Sequence, residues 1–159
     1  MKRITLVRSA LAAAAAIAVA GCSHMHMQDG GSTSGSSSMT QTYVATLTPG
    51  EEVPPATESQ GRGTAEVTID LKTYEVTYKV SWSGLTGPAT AGHIHGPAEA
   101  GKNAGVVVPF ANVAGASSAE GKGKLDATKY GDLAAGFYYV NIHTAKHPGG
   151  EIRGQLKRK

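Results

Sequence analysis

The sequence predicts an all-β domain, an antiparallel sandwich or barrel of about eight short strands, and three observations carry that reading. Tyr74, Val76, Tyr78, Val80 and Trp82 alternate with Glu75, Thr77, Lys79 and Ser81, so one face of this segment is apolar and the other polar. Gly supplies 21 of the 159 residues, and turns such as Gly84-Leu85-Thr86-Gly87-Pro88 and His147-Pro148-Gly149-Gly150 break the chain at short intervals. No segment shows a convincing helical period, and only 17% of the residues are charged, which excludes a coiled coil or a charge-rich disordered chain.

The elements follow in order. A first strand is expected at 43–48. The pair Pro54-Pro55 in Glu51-Glu52-Val53-Pro54-Pro55 has no backbone N–H to donate and belongs at an edge or crossover. Val67, Ile69 and Leu71 alternate ahead of the Tyr74–Trp82 run, and Asp70 to Thr73 can reverse the chain, so 63–82 reads as a hairpin. Further strands are expected at 90–95, 105–110, 121–126, 136–144 and 150–157, with a short turn at Asp132 to Ala135.

Ahead of this domain lies a targeting segment. Lys2 and Arg3 precede an apolar run from Leu6 to Ala20, interrupted by Arg8 and Ser9, that is too short and Ala-rich for a transmembrane helix. Residues 1–21 read as an export signal. The run ends in Val19-Ala20-Gly21-Cys22, which resembles the lipobox of bacterial lipoproteins. The resemblance implies that Cys22 becomes the first mature residue, carries the lipid, and anchors the protein in the envelope. Ser23 rather than Asp after it implies the outer membrane, periplasmic side. Cys22 is the only cysteine, so no intramolecular disulfide is available. Residues 22–41 then read as a Gly/Ser-rich tether, unable to bury enough surface to fold, and 42–159 as the folded domain. His24, Met25, His26 and Met27 on the tether are ligand types that copper prefers, a weak accessory site with no imposed geometry.

Charge excludes nucleic acid as a partner. Removing Lys2, Arg3 and Arg8 from the 15 basic residues leaves as many as the 12 acidic ones, and the basic tip Lys157-Arg158-Lys159 is too small to neutralise a phosphate backbone.

The chemistry lies with histidine. Burial of Ile94 would send His93 and His95 together to the opposite face of their strand. Burial of Tyr138, Val140 and Ile142 would likewise send Tyr139, Asn141 and His143 outward, onto an exposed face. A reversal around His147 to Gly150 would set residue 143 opposite 152 or 153 and bring an outward-facing Arg153 to the same surface. Three neutral imidazoles on a stiff sheet suit Cu(II) or Zn(II), with Cu(II) favoured by the affinity order and by nitrogen ligation. His147 is either a fourth ligand or simply the residue before Pro148. No Ser-His-Asp arrangement or phosphate-cradling Gly loop is evident, so hydrolase and nucleotide readings fall away.

Three segments, EEVPPATESQGRG, AGHIHGPA and YYVNIHTAKHPGGEIRGQL, resemble the hallmark segments of the CHRD domain, a module also repeated in chordin. The resemblance runs from about Tyr43 to Leu156 and implies an exported protein of the bacterial type, with chordin's copies pointing to a binding or scaffold module that holds no metal. A more distant likeness is to the Greek-key sandwich of Cu,Zn superoxide dismutase. There a His-X-His pair and a later His hold copper, and an Arg after a Gly-Gly pair guides the anion. That likeness implies a Greek-key fold, copper on His93, His95 and His143, anion guidance by Arg153, and superoxide as substrate if the protein is an enzyme. The absence of a cysteine pair, of a long loop after His95 and of a bridging His makes built-in zinc less favoured, and His147 has no counterpart. Sequestration or delivery of copper, with a periplasmic partner protein, is the version without turnover.

Overall fold

The computed structural model describes residues 39–159. The export signal, Cys22 and the His24 to Met27 run lie outside the described residues.

Nine strands form two antiparallel sheets. They are β1 (Thr40–Leu47), β2 (Arg62–Asp70), β3 (Glu75–Ser83), β4 (Ala89–His95), β5 (Val106–Pro109), β6 (Ser118–Lys124), β7 (Tyr139–Thr144), β8 (Ile152–Gln155) and β9 (Lys157–Arg158). One sheet runs β6-β3-β2-β1-β9 and the other β5-β4-β7-β8. The chain passes back and forth between them, so β6 returns beside β3 and β7 beside β4, a Greek-key order. Neither sheet closes on itself, which settles sandwich over barrel. At one side the sheets are joined by backbone bonds, Thr48 N to Arg153 O (2.9 Å) and Arg153 N to Thr48 O (3.1 Å).

The alternation read from the sequence is the burial pattern of β3, where Val76, Tyr78, Val80 and Trp82 are buried and every residue between them is exposed. They pack with Leu47, Val67 and Ile69 against Ile94, Val108, Val140, Ile142 and Ile152 of the facing sheet. Tyr74 departs from its expected place in that alternation. The β2–β3 turn is built on Asp70, whose Oδ1 accepts from Lys72 N and Thr73 N at 2.8 Å each, and Tyr74 completes it in the left-handed region at φ 57°. Its ring is turned to Tyr130 at 5.8 Å.

A helix, α1 (Ala127–Ala134), occupies the β6–β7 connection, where the sequence pattern showed none. Asp126 caps it, its side chain accepting from Lys129 N at 2.9 Å. Only Leu133 of the eight residues is buried, so there is no apolar stripe to reveal a period. The turn expected at Asp132 to Ala135 is the end of this helix. The expected strand at 121–126 begins three residues earlier and ends two earlier, and 150–157 is divided between β8 and β9, which belong to different sheets. β1 begins at Thr40, inside the span assigned to the tether. Pro54 and Pro55 lie in the β1–β2 loop, outside every ladder. Among the described residues no helix is long and apolar enough to cross a membrane.

Candidate metal centre

Parity places the site. In β4 and β7 the residues Ile94, Val140 and Ile142 face the core, so His93, His95, Tyr139, Asn141 and His143 stand on the other face of the same sheet. That face is not exposed as the sequence suggested. Tyr139 and Asn141 are each 2% exposed, and His95 and His143 8%. Loops around residues 49–61, 96–105 and 145–151 fold over it: Asn103 Nδ2 donates to Val53 O, His95 Nδ1 bonds Ala104 O, and His143 Nδ1 bonds Pro148 O. Only His93 of the three histidines is half-exposed.

One ligand nitrogen from each of His93, His95 and His143 lies within 4.8 Å of the other two. A carbonyl can only accept, so the bonds to Ala104 O and Pro148 O, each 3.0 Å, put the proton of both imidazoles on Nδ1 and leave Nε2 with its lone pair. Nε2 of His95 is buried with no hydrogen-bond partner. Nε2 of His143 lies 3.0 Å from Nδ1 of His93, which therefore donates to it in the neutral site. To hold an ion on those two nitrogens, the half-exposed His93 would carry its proton on Nε2 instead, leaving the Nδ1 lone pair free and the ring neutral. Burial lowers the pKa of all three: His93 is pushed down to about 4, with the neighbouring His143 and His95 adding to the effect. His95 and His143 are also held below the ordinary value by burial, against the raising effect of their carbonyl partners. The cluster is thus neutral at pH 7, the form that binds metal.

Arg153 shares this face, but its expected exposure is not found. The register sets Arg153 opposite Asn141, and Ile152 opposite Ile142. The side chain is 1% exposed, with Cζ 3.4 Å from the centre of the Tyr139 ring. Nη1 donates to Asn103 Oδ1 (3.1 Å) and Nη2 to Lys102 O (2.7 Å). The long loops from elsewhere in the chain, invisible to strand parity, account for the difference. His147 stays outside the three-histidine group, its Nε2 3.5 Å from Glu58 Oε1.

Two buried carboxyls beside the site were not foreseen. Glu151 is fully buried and accepts from Ser59 Oγ (2.6 Å), Thr86 N (2.7 Å), Thr86 Oγ1 (2.9 Å) and Thr144 Oγ1 (2.6 Å). Burial alone would raise its pKa, and these donors outweigh burial and hold it below the usual range. Glu52 is 3% exposed, with Oε1 unpartnered. Burial pushes it up to about 7 despite the opposing charge of Arg153. A Cβ at Gly150, whose φ is 131°, would run into Glu52 Oε1, so this position of the Gly-Gly pair is fixed by the carboxyl beneath it.

The three sequence segments singled out above meet here. Glu52 and Ser59 come from the first, His93 and His95 from the second, and His143, Glu151 and Arg153 from the third. No curated protein and no solved structure matches the chain. The family model of the CHRD domain matches residues 43–156, a span that holds β2 to β8 and every residue of the site. The chain belongs to the CHRD domain family.

Proposed function

We propose that this CHRD domain is a mononuclear copper-binding module, with His93, His95 and His143 as its ligands. The observation that carries the reading is the fixed tautomer of His95 and His143, whose Nδ1 protons are held by backbone carbonyls so that each offers Nε2 toward the others. The donor set is three neutral nitrogens with neither thiolate nor carboxylate, which favours Cu(II) over zinc on the affinity order. His93, the most exposed of the three, sets the side from which the ion and any further ligand arrive.

The burial of Arg153 bears on what the ion does. A guanidinium spent on Lys102, Asn103 and Tyr139 is not free to draw a small anion from solvent, so holding or handing over copper is favoured over superoxide turnover. The lipid on Cys22 would keep the domain at the periplasmic side of the outer membrane, where the His24 to Met27 run of the tether could pass copper to the domain or to a partner protein.

The test is Cu(II) titration of the mature chain, residues 22–159, followed by paramagnetic resonance, beside His93→Ala/His143→Ala. The double variant keeps the tether, so the difference between the two isolates the domain site. One tight site with nitrogen couplings that the double variant lacks is the expected result. Equal binding by both would remove the metal reading and leave an envelope-binding module.

A further inference from the structure

The strap from Ala98 to Ala104 crosses the sheet face that carries the histidines, and side chains of that face hold it at several points. Gln155 Nε2 donates to Ala98 O (2.9 Å), Arg153 to Lys102 O and Asn103 Oδ1, and Ala104 N donates to Tyr139 Oη at 3.1 Å. Ala104 O is in turn the acceptor for His95 Nδ1. The orientation of His95 therefore depends on a loop carbonyl, and the position of that carbonyl depends on what pins the loop.

Stacking ties the same residues together. The His95 and Tyr139 rings are parallel within 4°, centres 4.9 Å apart, and they are cross-strand neighbours in the β4–β7 register. The Arg153 guanidinium covers the Tyr139 ring from β8. Since β7 lies between β4 and β8, the ring stands between imidazole and guanidinium. Arg is suited to this place because one flat group both stacks on the ring and reaches two acceptors from separate nitrogens, which an ammonium cannot do.

We infer that Arg153 is a positioning residue of the metal centre: by clamping the strap at Lys102 and Asn103 and stacking on Tyr139, it keeps Ala104 O on His95 Nδ1 and so keeps His95 Nε2 presented as a ligand. The inference rests on the copper reading for its affinity arm, while its structural arm is decided in the metal-free protein.

The experiment compares the mature chain with Arg153→Lys and Asn103→Ala. The second change removes an acceptor of Arg153, together with the Asn103 bond to Val53 O, at an exposed position of the strap itself, and guards against a folding defect in the first. In the metal-free proteins, nitrogen chemical shifts read the tautomers of His95 and His143, and amide exchange reads Ala104. Both variants should lose Ala104 protection and let His95 populate both tautomers, while His143, held by Pro148 O, stays as in wild type. Cu(II) affinity should fall by about tenfold to a hundredfold. A single His95 tautomer with intact Ala104 protection in both variants overturns the inference, as does wild-type affinity once the His95 tautomer is lost. If the wild type binds no copper, the copper reading fails, and the tautomer result alone decides whether Arg153 positions His95.

Discussion

Glu151→Gln tests how much a buried carboxylate contributes to holding the loops over the site. Its four donors come from the β1–β2 loop, the β3–β4 loop and the end of β7, so one side chain ties three segments to the β7–β8 turn. Glutamine keeps the shape. Its oxygen retains one pair of donors, and its amide nitrogen faces hydroxyls that can rotate to accept. What disappears is the charge. A hydrogen bond to a charged group contributes about 1.5–3 kcal/mol and a neutral one about 0.5–1.5, so four bonds lose roughly 4 kcal/mol between them. Relief from burying an ion offsets part of that, leaving a loss of about 2–3 kcal/mol. In a domain of this size such a loss lowers Tm by roughly 10 °C. The pH dependence is a second check. The folded carboxyl titrates below the ordinary value of 4.5, so its contribution is complete above that value and disappears as pH falls through the lower folded one. Urea and thermal unfolding of wild type and variant at pH 7 and pH 3 would measure both effects, and the gap between them should narrow in acid. A gap below about 0.5 kcal/mol at pH 7, or an equal gap at both pH values, would refute the reasoning.

The other buried carboxyl should show the opposite slope: Glu52 titrates at about 7 rather than 4.5 when folded, so the wild type loses stability as pH rises between those values, and Glu52→Gln should remove that loss in urea unfolding at pH 5 and 8. For the histidines, metal-free protein should lose stability as pH falls from 6.5 toward 4, because the unfolded chain takes up protons that the folded, half-buried His93 refuses, and His93→Ala should flatten this in a pH series of thermal melts. His147→Ala should leave Cu(II) affinity within about twofold, since it stands apart from the three ligands, whereas His95→Ala should lower it by well over tenfold in the same titration. Gly150→Ala should destabilise the fold by about 2 kcal/mol or more in urea unfolding, from an unfavourable φ and a collision with Glu52.

Parity made much of this molecule legible. The faces of β3, β4 and β7 follow directly from alternation, and with them the placement of His93, His95 and His143 on one side of one sheet. Alternation says which residues share a face but not what covers it. The burial of Tyr139, Asn141 and Arg153 depends on loops distant in sequence, as the bonds of Tyr139 to Ala104 N and of Arg153 to Lys102 O show. Alternation alone puts Tyr74 in β3, because an aromatic in phase with a strand carries no mark of the left-handed turn it occupies. The helix at 127–134 buries one side chain, too little to print a period, although Asp126 three residues before Lys129 is a capping arrangement visible in retrospect. The partner of each histidine's second nitrogen is a backbone carbonyl, which no residue identity reveals.

The backbone bridge between Thr48 and Arg153 makes the sandwich behave like a book bound along one side. Among the described residues no such bridge joins β5 to β6 at the opposite side, where Val108 packs over Gly123 without a Cβ between them. Transient opening should therefore begin at β5 and β6 and wet Val108 and Ala119 first, with amide exchange slowest along the spine at Thr48 and Arg153. All three histidines sit on β4 and β7 of the same page, so this breathing leaves their mutual spacing intact. It would reach the site only through Ala104, two residues before β5, whose carbonyl accepts from His95 Nδ1.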